Sequence, residues 1–226
     1  MTKKKKQSLA EKVNILRAAV MGANDGIISV AGIVLGVAGA NISTWGILIS
    51  GFSGMLAGTI SMAMGEYVSV HSQRDSQIAA AAREENLLDT NYDQQFNYIK
   101  DKLGNVGISS DLANEATEQM MKAHPLKTVV REKYGFDLDS KVSAYAAAIA
   151  SMISFPTGSL LPMLSILIFP ARMRILGTML AVVIALIFTG YFAAQLSHAS
   201  KLHGTIRNVI AGMLTMLVTY FIGSMF

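Results

Sequence analysis

Long apolar stretches alternate with short polar segments along most of the chain. Five windows contain at most one charged residue or histidine each, and they cover residues 18–40, 45–70, 142–169, 175–196 and 209–226. Because a membrane-spanning helix needs about 20 predominantly apolar residues, each window predicts one span. The third window contains Pro156 and Pro162, so we expect a kink or a break there. The fifth window is close to the lower length limit for a span.

The polar stretch between the second and third windows predicts a separate helical domain at residues 71–141. The second span meets no helix-breaking residue before Arg83, so we expect it to continue beyond the membrane as one long helix. Apolar residues then recur at helical spacing over residues 92–103. Two further helices are expected over about 109–123 and 124–135.

The predicted fold class is therefore all-α. We expect a polytopic membrane protein with five transmembrane helices and an inserted cytosolic helical domain. The predicted divisions are an N-terminal segment with the first two spans at 1–70, the inserted domain at 71–141, and the last three spans at 142–226.

Composition supports a membrane protein. The chain is 52% hydrophobic and only 15% charged, whereas a soluble domain carries roughly 25% charged residues. Neither a soluble enzyme nor a nucleic-acid partner is expected. The absence of cysteine excludes disulfides, thiolate metal sites and cysteine nucleophiles. No cofactor is expected either, because the chain has no glycine motif of the phosphate-binding or dinucleotide-binding type.

One short motif imitates an enzyme. Gly51-Phe52-Ser53-Gly54 has the form found in some intramembrane serine proteases, where a histidine at membrane depth must activate the serine. All four histidines of this chain lie outside the apolar windows. We therefore expect no protease activity, and no enzyme.

The basic residues of the short loops predict the orientation. With the N-terminus in the cytosol, the inner segments 1–17 and 197–207 hold eight lysines and arginines, and the outer turns hold only Arg172 and Arg174. The positive-inside rule then predicts a multi-pass protein of the cell membrane with a cytosolic N-terminus and an outer C-terminus. The first window lacks the cleavage pattern of a signal peptide, so we expect it to remain as a span.

Asp25 is the acidic residue that lies deepest in a predicted span. It follows Arg17 by eight residues, which is about 12 Å of helix rise. A carboxylate at that depth costs several kcal/mol unless it has a partner or a function. It is either a structural group, hydrogen-bonded or kept neutral, or a cation or proton site. In the second case Asn24 adds a further oxygen donor.

The second window offers a partner for Asp25 at matching depth. Met62 lies about as far from the predicted cytosolic edge as Asp25 does, and it shares a helix face with Met55 and Glu66. A thioether together with a carboxylate suits a transition metal better than calcium or magnesium, which prefer oxygen ligands. Glu66 lies near the cytosolic edge, where it is either a ligand or simply solvated.

Glycine pairs four residues apart recur in the first two windows, at Gly22 and Gly26, Gly32 and Gly36, and Gly54 and Gly58. This spacing lets helices approach closely, either within one chain or between two chains. Five spans of which only two bear acidic residues form a poor pore alone. A homodimer is therefore expected.

Two motifs resemble those of the vacuolar iron transporter family, in its bacterial form. They are Asn24-Asp25-Gly26 and the stretch 58–69, GTISMAMGEYVS, which is followed by Ser72-Gln73-Arg74-Asp75. The resemblance covers essentially the whole chain. It implies a dimer whose paired first helices line the path, and export of ferrous iron or manganese from the cytosol in exchange for protons. By motif position, the family's membrane aspartate falls on Asp25 and its metal-binding methionine on Met62.

The chain also departs from the family pattern. Gly54 stands where some members carry an acidic residue. Of the glutamates that collect metal in the inserted domain, only Glu84, with Glu85 beside it, has a clear counterpart. Residues without negative charge stand at the other positions: Gln94, Gln95 and Lys133. The resemblance thus implies a membrane site whose cytosolic metal reservoir is weakened or absent.

The sequence predicts a transporter of Fe²⁺ or Mn²⁺. Its candidate metal ligands are Asp25, Met62, Glu66, Glu84 and Glu85. The expected partners are divalent metal ions, protons, the lipid bilayer and a second copy of the chain. The alternative is a membrane scaffold or sensor that binds a partner protein through the inserted domain, with Asp25 structural. Only a transporter would protect cells from excess metal.

Overall fold

The computed structural model describes residues 9–139 and 142–226. Its helices are α1 (Leu9–Gly39), α2 (Thr44–Thr90), α3 (Tyr92–Asn105), α4 (Ser110–Ala123), α5 (Pro125–Tyr134), α6 (Ala144–Ile168), α7 (Arg174–Leu196) and α8 (Lys201–Gly223). No strand occurs in those two ranges. Five helices, α1, α2, α6, α7 and α8, are long and apolar enough to cross a membrane. The all-α polytopic fold is confirmed.

Two spans differ from their predicted form. Helix α6 runs unbroken over 25 residues with Pro156 and Pro162 inside it, so the helix does not break there, and a kink stays a prediction. Helix α8 begins at Lys201, eight residues before the predicted window, and is 23 residues long. Its first turns carry Lys201, His203 and Arg207, which extend the helix beyond its apolar part. The fifth span is therefore not marginal in length.

The chain divides into two compact units. The first, here called the membrane unit, contains Glu11–Val68 and Ser143–Phe226. The second contains Ser69–Val142 and is called the insert. Helix α2 is 47 residues long and contributes to both units, as expected for a span that continues beyond the apolar window.

Helix α1 lies at the centre of the membrane unit. Its C-terminal half supplies nearly half of a buried cluster to which all five long helices contribute: Ile27, Val30, Ala31, Val34, Leu35, Ala38, Ile47, Met55, Phe155, Ile166, Val182, Leu186 and Met216. Glycines set the helix spacing. A Cβ at Gly26 would overlap the Phe155 carbonyl of α6, and a Cβ at Gly36 would lie 3.1 Å from the Thr219 carbonyl oxygen of α8. These glycines serve packing within one chain.

The insert has its own small core. Ile99, Met121 and Val129 are buried together, one from each of its short helices. Pro125 begins α5 directly after His124, and α5 ends at Tyr134. Gly135 caps it, with a φ of 74° in the left-handed region that suits glycine. The predicted limits of the last helix of the insert are thereby confirmed.

Candidate functional site

Asp25 lies on the exposed surface of the membrane unit, midway along α1. Its Oδ1 accepts a hydrogen bond from the Ser29 hydroxyl at 3.2 Å. Val13, Arg17 and Met21 precede it at intervals of four residues and are also exposed. These four residues form one stripe along the outside of α1. In a membrane, this stripe faces either lipid or a second protein molecule.

Asn24 faces a different neighbour from Asp25. Its Oδ1 accepts a hydrogen bond from the Thr189 hydroxyl of α7 at 3.1 Å. The Asn208 side-chain amide of α8 donates to the same hydroxyl at 3.1 Å and to the Leu186 carbonyl at 2.9 Å. The expectation that Asn24 supports Asp25 as an oxygen donor is not supported, because this oxygen joins α1 to α7.

Thr189 and Asn208 were missed in the sequence. The available signal was a polar side chain within or beside an otherwise apolar window, since such groups need hydrogen-bond partners inside a membrane. That signal marks both residues, but it does not tell which helix supplies the partner.

Glu66 is buried against α1. Its carboxylate accepts a hydrogen bond from the Arg17 guanidinium at 3.1 Å, and its side chain is 10% exposed. The same guanidinium donates to Asn14 Oδ1 at 3.2 Å and to the Met21 sulfur at 3.2 Å. The interpretation of Glu66 as a solvated residue is therefore wrong. The ion pair neutralises Glu66 without a metal.

Met62 is partly buried and packs against the core cluster of the membrane unit. Gly54 of α2 contacts Ile33 of α1, and together with the ion pair described above this contact sets an antiparallel register between the helices. The register places Met62 at the level of residues 21–25 of α1, so Asp25 and Met62 are within about 6 Å of each other along the axis. Asp25 is exposed at this level, whereas Met62 is partly buried.

Glu84 is fully enclosed in the insert, with 2% of the residue exposed. The Lys133 ammonium donates to its Oε2 at 2.8 Å, and the Tyr134 hydroxyl donates to its Oε1 at 2.8 Å. Lys133 also donates to Gln95 Oε1 and lies 5.2 Å from the centre of the Tyr98 ring. We call these five residues the lysine cage. Its cation is a side chain of the protein itself.

Glu84 and Glu85 are adjacent in the sequence, but only Glu84 belongs to the lysine cage. The hydrogen bond to Glu84, with burial, raises the pKa of Tyr134 above its usual value, so the phenol stays protonated and keeps donating. Glu85 is exposed and lines a different cavity, of about 340 Å³, with Arg74 and Asp137 among its neighbours. Glu84 and Glu85 are thus not brought together.

Acidic and histidine side chains do not cluster in a single chain. Within residues 9–139 and 142–226, no group of three or more histidines, aspartates or glutamates is placed to hold a metal ion. Asp25 and Met62 share a level of the membrane unit, while the other candidate ligands Glu66 and Glu84 each have a cationic partner. The predicted ligand set is not assembled by one chain.

The sequence of the chain matches a model of a known family. A sequence model of the VIT family matches residues 16–224 of the chain. The chain belongs to the VIT family. The match extends across both units and includes Asp25, Met62 and Glu84.

Several vacuolar iron transporters and their homologues are similar to this chain over nearly its full length. Vacuolar iron transporter homolog 2 of Arabidopsis thaliana is 31% identical over 206 residues, which cover 91% of this chain and 81% of the relative. The vacuolar iron transporter of Acanthamoeba castellanii is 32% identical over 209 residues, which cover 92% of this chain and 77% of the relative. Vacuolar iron transporter homolog 5 of Oryza sativa subsp. japonica is 32% identical over 213 residues, covering 94% and 80%.

Membership of the VIT family supports metal transport as the activity. The relatives are named as transporters, in agreement with the expectation that the chain is not an enzyme. A Cβ at Gly54 would overlap only the terminal Cδ1 of Ile33, so a side chain at this position requires that flexible end of Ile33 to move.

Proposed function

We propose that the chain is a homodimeric exporter of Fe²⁺ or Mn²⁺ that exchanges the metal for protons. The exposed Asp25 on α1 carries this proposal. A charged carboxylate at the centre of a membrane costs roughly 3 kcal/mol or more when it faces lipid. A second copy of the chain, meeting this one along the same stripe of α1, shields Asp25 from lipid and brings two Asp25 carboxylates together, so that a bound cation or protons can neutralise both.

Two carboxylates match the charge of one divalent ion. A metal ion that crosses hydrocarbon must exchange its hydration shell for fixed ligands, and a single aspartate neutralises only half of its charge. Met62 lies at the level of residues 21–25 and supplies the soft ligand of the proposed site. A thioether favours Fe²⁺ and Mn²⁺ over Mg²⁺ only weakly, so we assign Met62 to selectivity and Asp25 to binding.

The same carboxylates account for the proposed proton exchange. Without a metal ion, two negative charges close together in a poorly solvated site repel each other. Binding of protons neutralises them, so the empty site returns in its protonated form. No other titratable side chain is needed at this depth.

We assign the transport direction from the predicted orientation. The excess of lysine and arginine in segments 1–17 and 197–207 supports a cytosolic N-terminus and a cytosolic insert, with the C-terminus outside. Metal then enters the path from the cytosol, and the proposed location is the cell membrane.

The other candidate ligands receive secondary roles. Glu66 is paired with Arg17, and Glu84 is held in the lysine cage. Glu85 is exposed and lines a cavity together with the cationic Arg74. The insert therefore contributes little to metal binding in this proposal.

Flux measurements on the full-length protein in liposomes test the proposal. Fe²⁺, Mn²⁺, Ca²⁺ and Mg²⁺ are supplied in turn while a pH-sensitive dye reports proton movement. We expect Fe²⁺ or Mn²⁺ to move with an opposing proton flux. Asp25→Asn should lower the flux by more than about tenfold, a loss of at least about 1.4 kcal/mol, while the protein stays dimeric.

Ser29→Ala is the matched control. It removes only the hydroxyl that donates to Asp25, so the flux should fall far less. Undiminished flux in Asp25→Asn would overturn the mechanism. Absence of flux for every ion in the wild type would instead favour the scaffold or sensor.

A further inference from the structure

A polar cavity opens in the membrane unit at the end where α7 connects to α8. Its volume is about 220 Å³, and α1, α7 and α8 all contribute to its lining. The hydrogen-bonded side chains of Asn24, Thr189 and Asn208 line one part of it. Ser197 and Arg207 supply the remaining polar side chains.

Small residues create this space. Gly190 and Gly204 lie in the wall, and a Cβ at Gly190 would be 2.9 Å from the Thr205 Cα. Helices α7 and α8 therefore touch at these glycines, and no large side chain fills the volume beside the contact. The wall also contains Ala193 and Ala199.

Arg207 is the charged residue in the lining, and it is exposed. Within the described residues, it makes no ion pair. The sequence contains no aspartate or glutamate from residue 142 to residue 226. The three C-terminal spans and their loops thus offer this guanidinium no carboxylate partner.

The position of Arg207 suits the membrane surface. It lies six residues after the start of α8, which is about 9 Å of helix rise. At that distance from the end of a span, a long basic side chain reaches the phosphate groups at the boundary of the bilayer. Basic pockets between transmembrane helices are known to bind lipid headgroups.

We propose that this cavity binds a phosphate group, with Arg207 as its charged partner. A guanidinium presents several N–H donors that match the oxygens of a phosphate. The phosphate comes either from the headgroup of a phospholipid or from free phosphate. This site is separate from Asp25, so its test is independent of the proposed transport mechanism.

Lipid binding to the full-length protein in detergent tests the proposal. Native mass spectrometry counts bound phosphatidylglycerol during a titration, and inorganic phosphate is added in a second arm as competitor. Arg207→Gln removes the charge, while Ala199→Leu fills the cavity at constant charge. Each should weaken binding by about tenfold, equivalent to about 1.4 kcal/mol.

Lys201→Gln is the matched control. Lys201 is also basic and is the first residue of α8. Its ammonium donates to the Tyr191 hydroxyl at 3.2 Å, and it does not line the cavity. This variant should bind within about twofold of the wild type, because one exposed charge contributes little. Asp25→Asn should also bind normally, which separates this site from transport.

The competitor identifies the source of the phosphate. Displacement of the lipid by inorganic phosphate supports a site for a soluble anion, and failure to displace it supports a lipid headgroup. Wild-type affinity in both Arg207→Gln and Ala199→Leu would overturn the proposal. An equal loss in Lys201→Gln and Arg207→Gln would also overturn it, since binding would then follow total charge alone.

Discussion

The guanidinium of Arg17 lies 3.1 Å from the carboxylate of Glu66 and joins α1 to α2. Arg17 is 46% exposed at its side chain, whereas Glu66 is 10% exposed. The sequence indicated Glu66 as a candidate metal ligand, but in the structure Arg17 neutralises the charge of its carboxylate. The ion pair also aligns the two helices that carry Asp25 and Met62.

This ion pair yields the first prediction. If Glu66 acts by aligning the helices, Glu66→Gln and Arg17→Gln break the same contact and should lower metal flux by similar, modest factors. Arg17→Gln should lower stability more than Glu66→Gln does, because it leaves the buried Glu66 carboxylate without its cation. Flux in liposomes at matched protein levels is the measurement. A severe loss confined to Glu66→Gln would identify Glu66 as a metal ligand.

A substitution of Met62 can distinguish a role of its sulfur in metal transport from a role in packing. Met62→Leu keeps nearly the same volume against the core and should cost less than about 1.5 kcal/mol of stability. It removes the thioether, so we expect a several-fold loss of Fe²⁺ or Mn²⁺ flux, milder than that of Asp25→Asn. Met64→Leu, at an exposed position of the same helix, is the control. Equal fluxes in both variants would show that the sulfur of Met62 plays no part.

The lysine cage predicts a large stability effect in the insert. Lys133→Met leaves Glu84 buried without its cation and should lower the stability of the insert by about 3 kcal/mol. The double variant Lys133→Met with Glu84→Gln should recover part of this loss, because no unpaired charge remains. Amide hydrogen exchange of α3 to α5 in the full chain measures the change.

Glu85→Gln is the control for the cage. Glu85 is exposed, so its replacement should alter stability by no more than about 0.5 kcal/mol. Unchanged exchange rates in Lys133→Met would mean that the cage does not stabilise the insert.

The insert is also predicted to bind metal weakly. Glu84→Ala combined with Glu85→Ala should change metal export far less than Asp25→Asn does, because Glu84 already has a fixed cationic partner. Calorimetric titration of the full-length Asp25→Asn protein with Mn²⁺ isolates the contribution of the insert. Tight binding of several ions per chain in that variant would contradict the prediction.

Reporter fusions test the predicted orientation. A reporter inserted at His124 should report a cytosolic location, and one fused after Phe226 should report the opposite side of the membrane. Three spans, α6, α7 and α8, lie between these two positions, so the two reporters should be on opposite sides. The same location for both would contradict the predicted path of the chain.

Local sequence determined most of the elements. The apolar windows predicted the five spans, and helical periodicity with Pro125 and Gly135 predicted the insert, because hydrophobic length, helix caps and breakers act over a few residues. The start of α8 was missed for a related reason. Lys201 and Arg207 are charged and therefore indicate a loop in the sequence, whereas long basic side chains can extend from a helix to the membrane surface.

Tertiary structure decided which side chains meet. Arg17 and Glu66 are separated by 49 residues, Asn24 and Thr189 by 165, and Glu84 and Lys133 by 49. The sequence indicated Asn24, Glu66 and Glu84 as possible metal ligands, but the groups that they contact depend on how helices distant in sequence are aligned. Helix spacing fixes which residues share a face of one helix. Only packing between helices fixes which faces touch, and hence whether a carboxylate is neutralised within the chain or, like Asp25, left exposed.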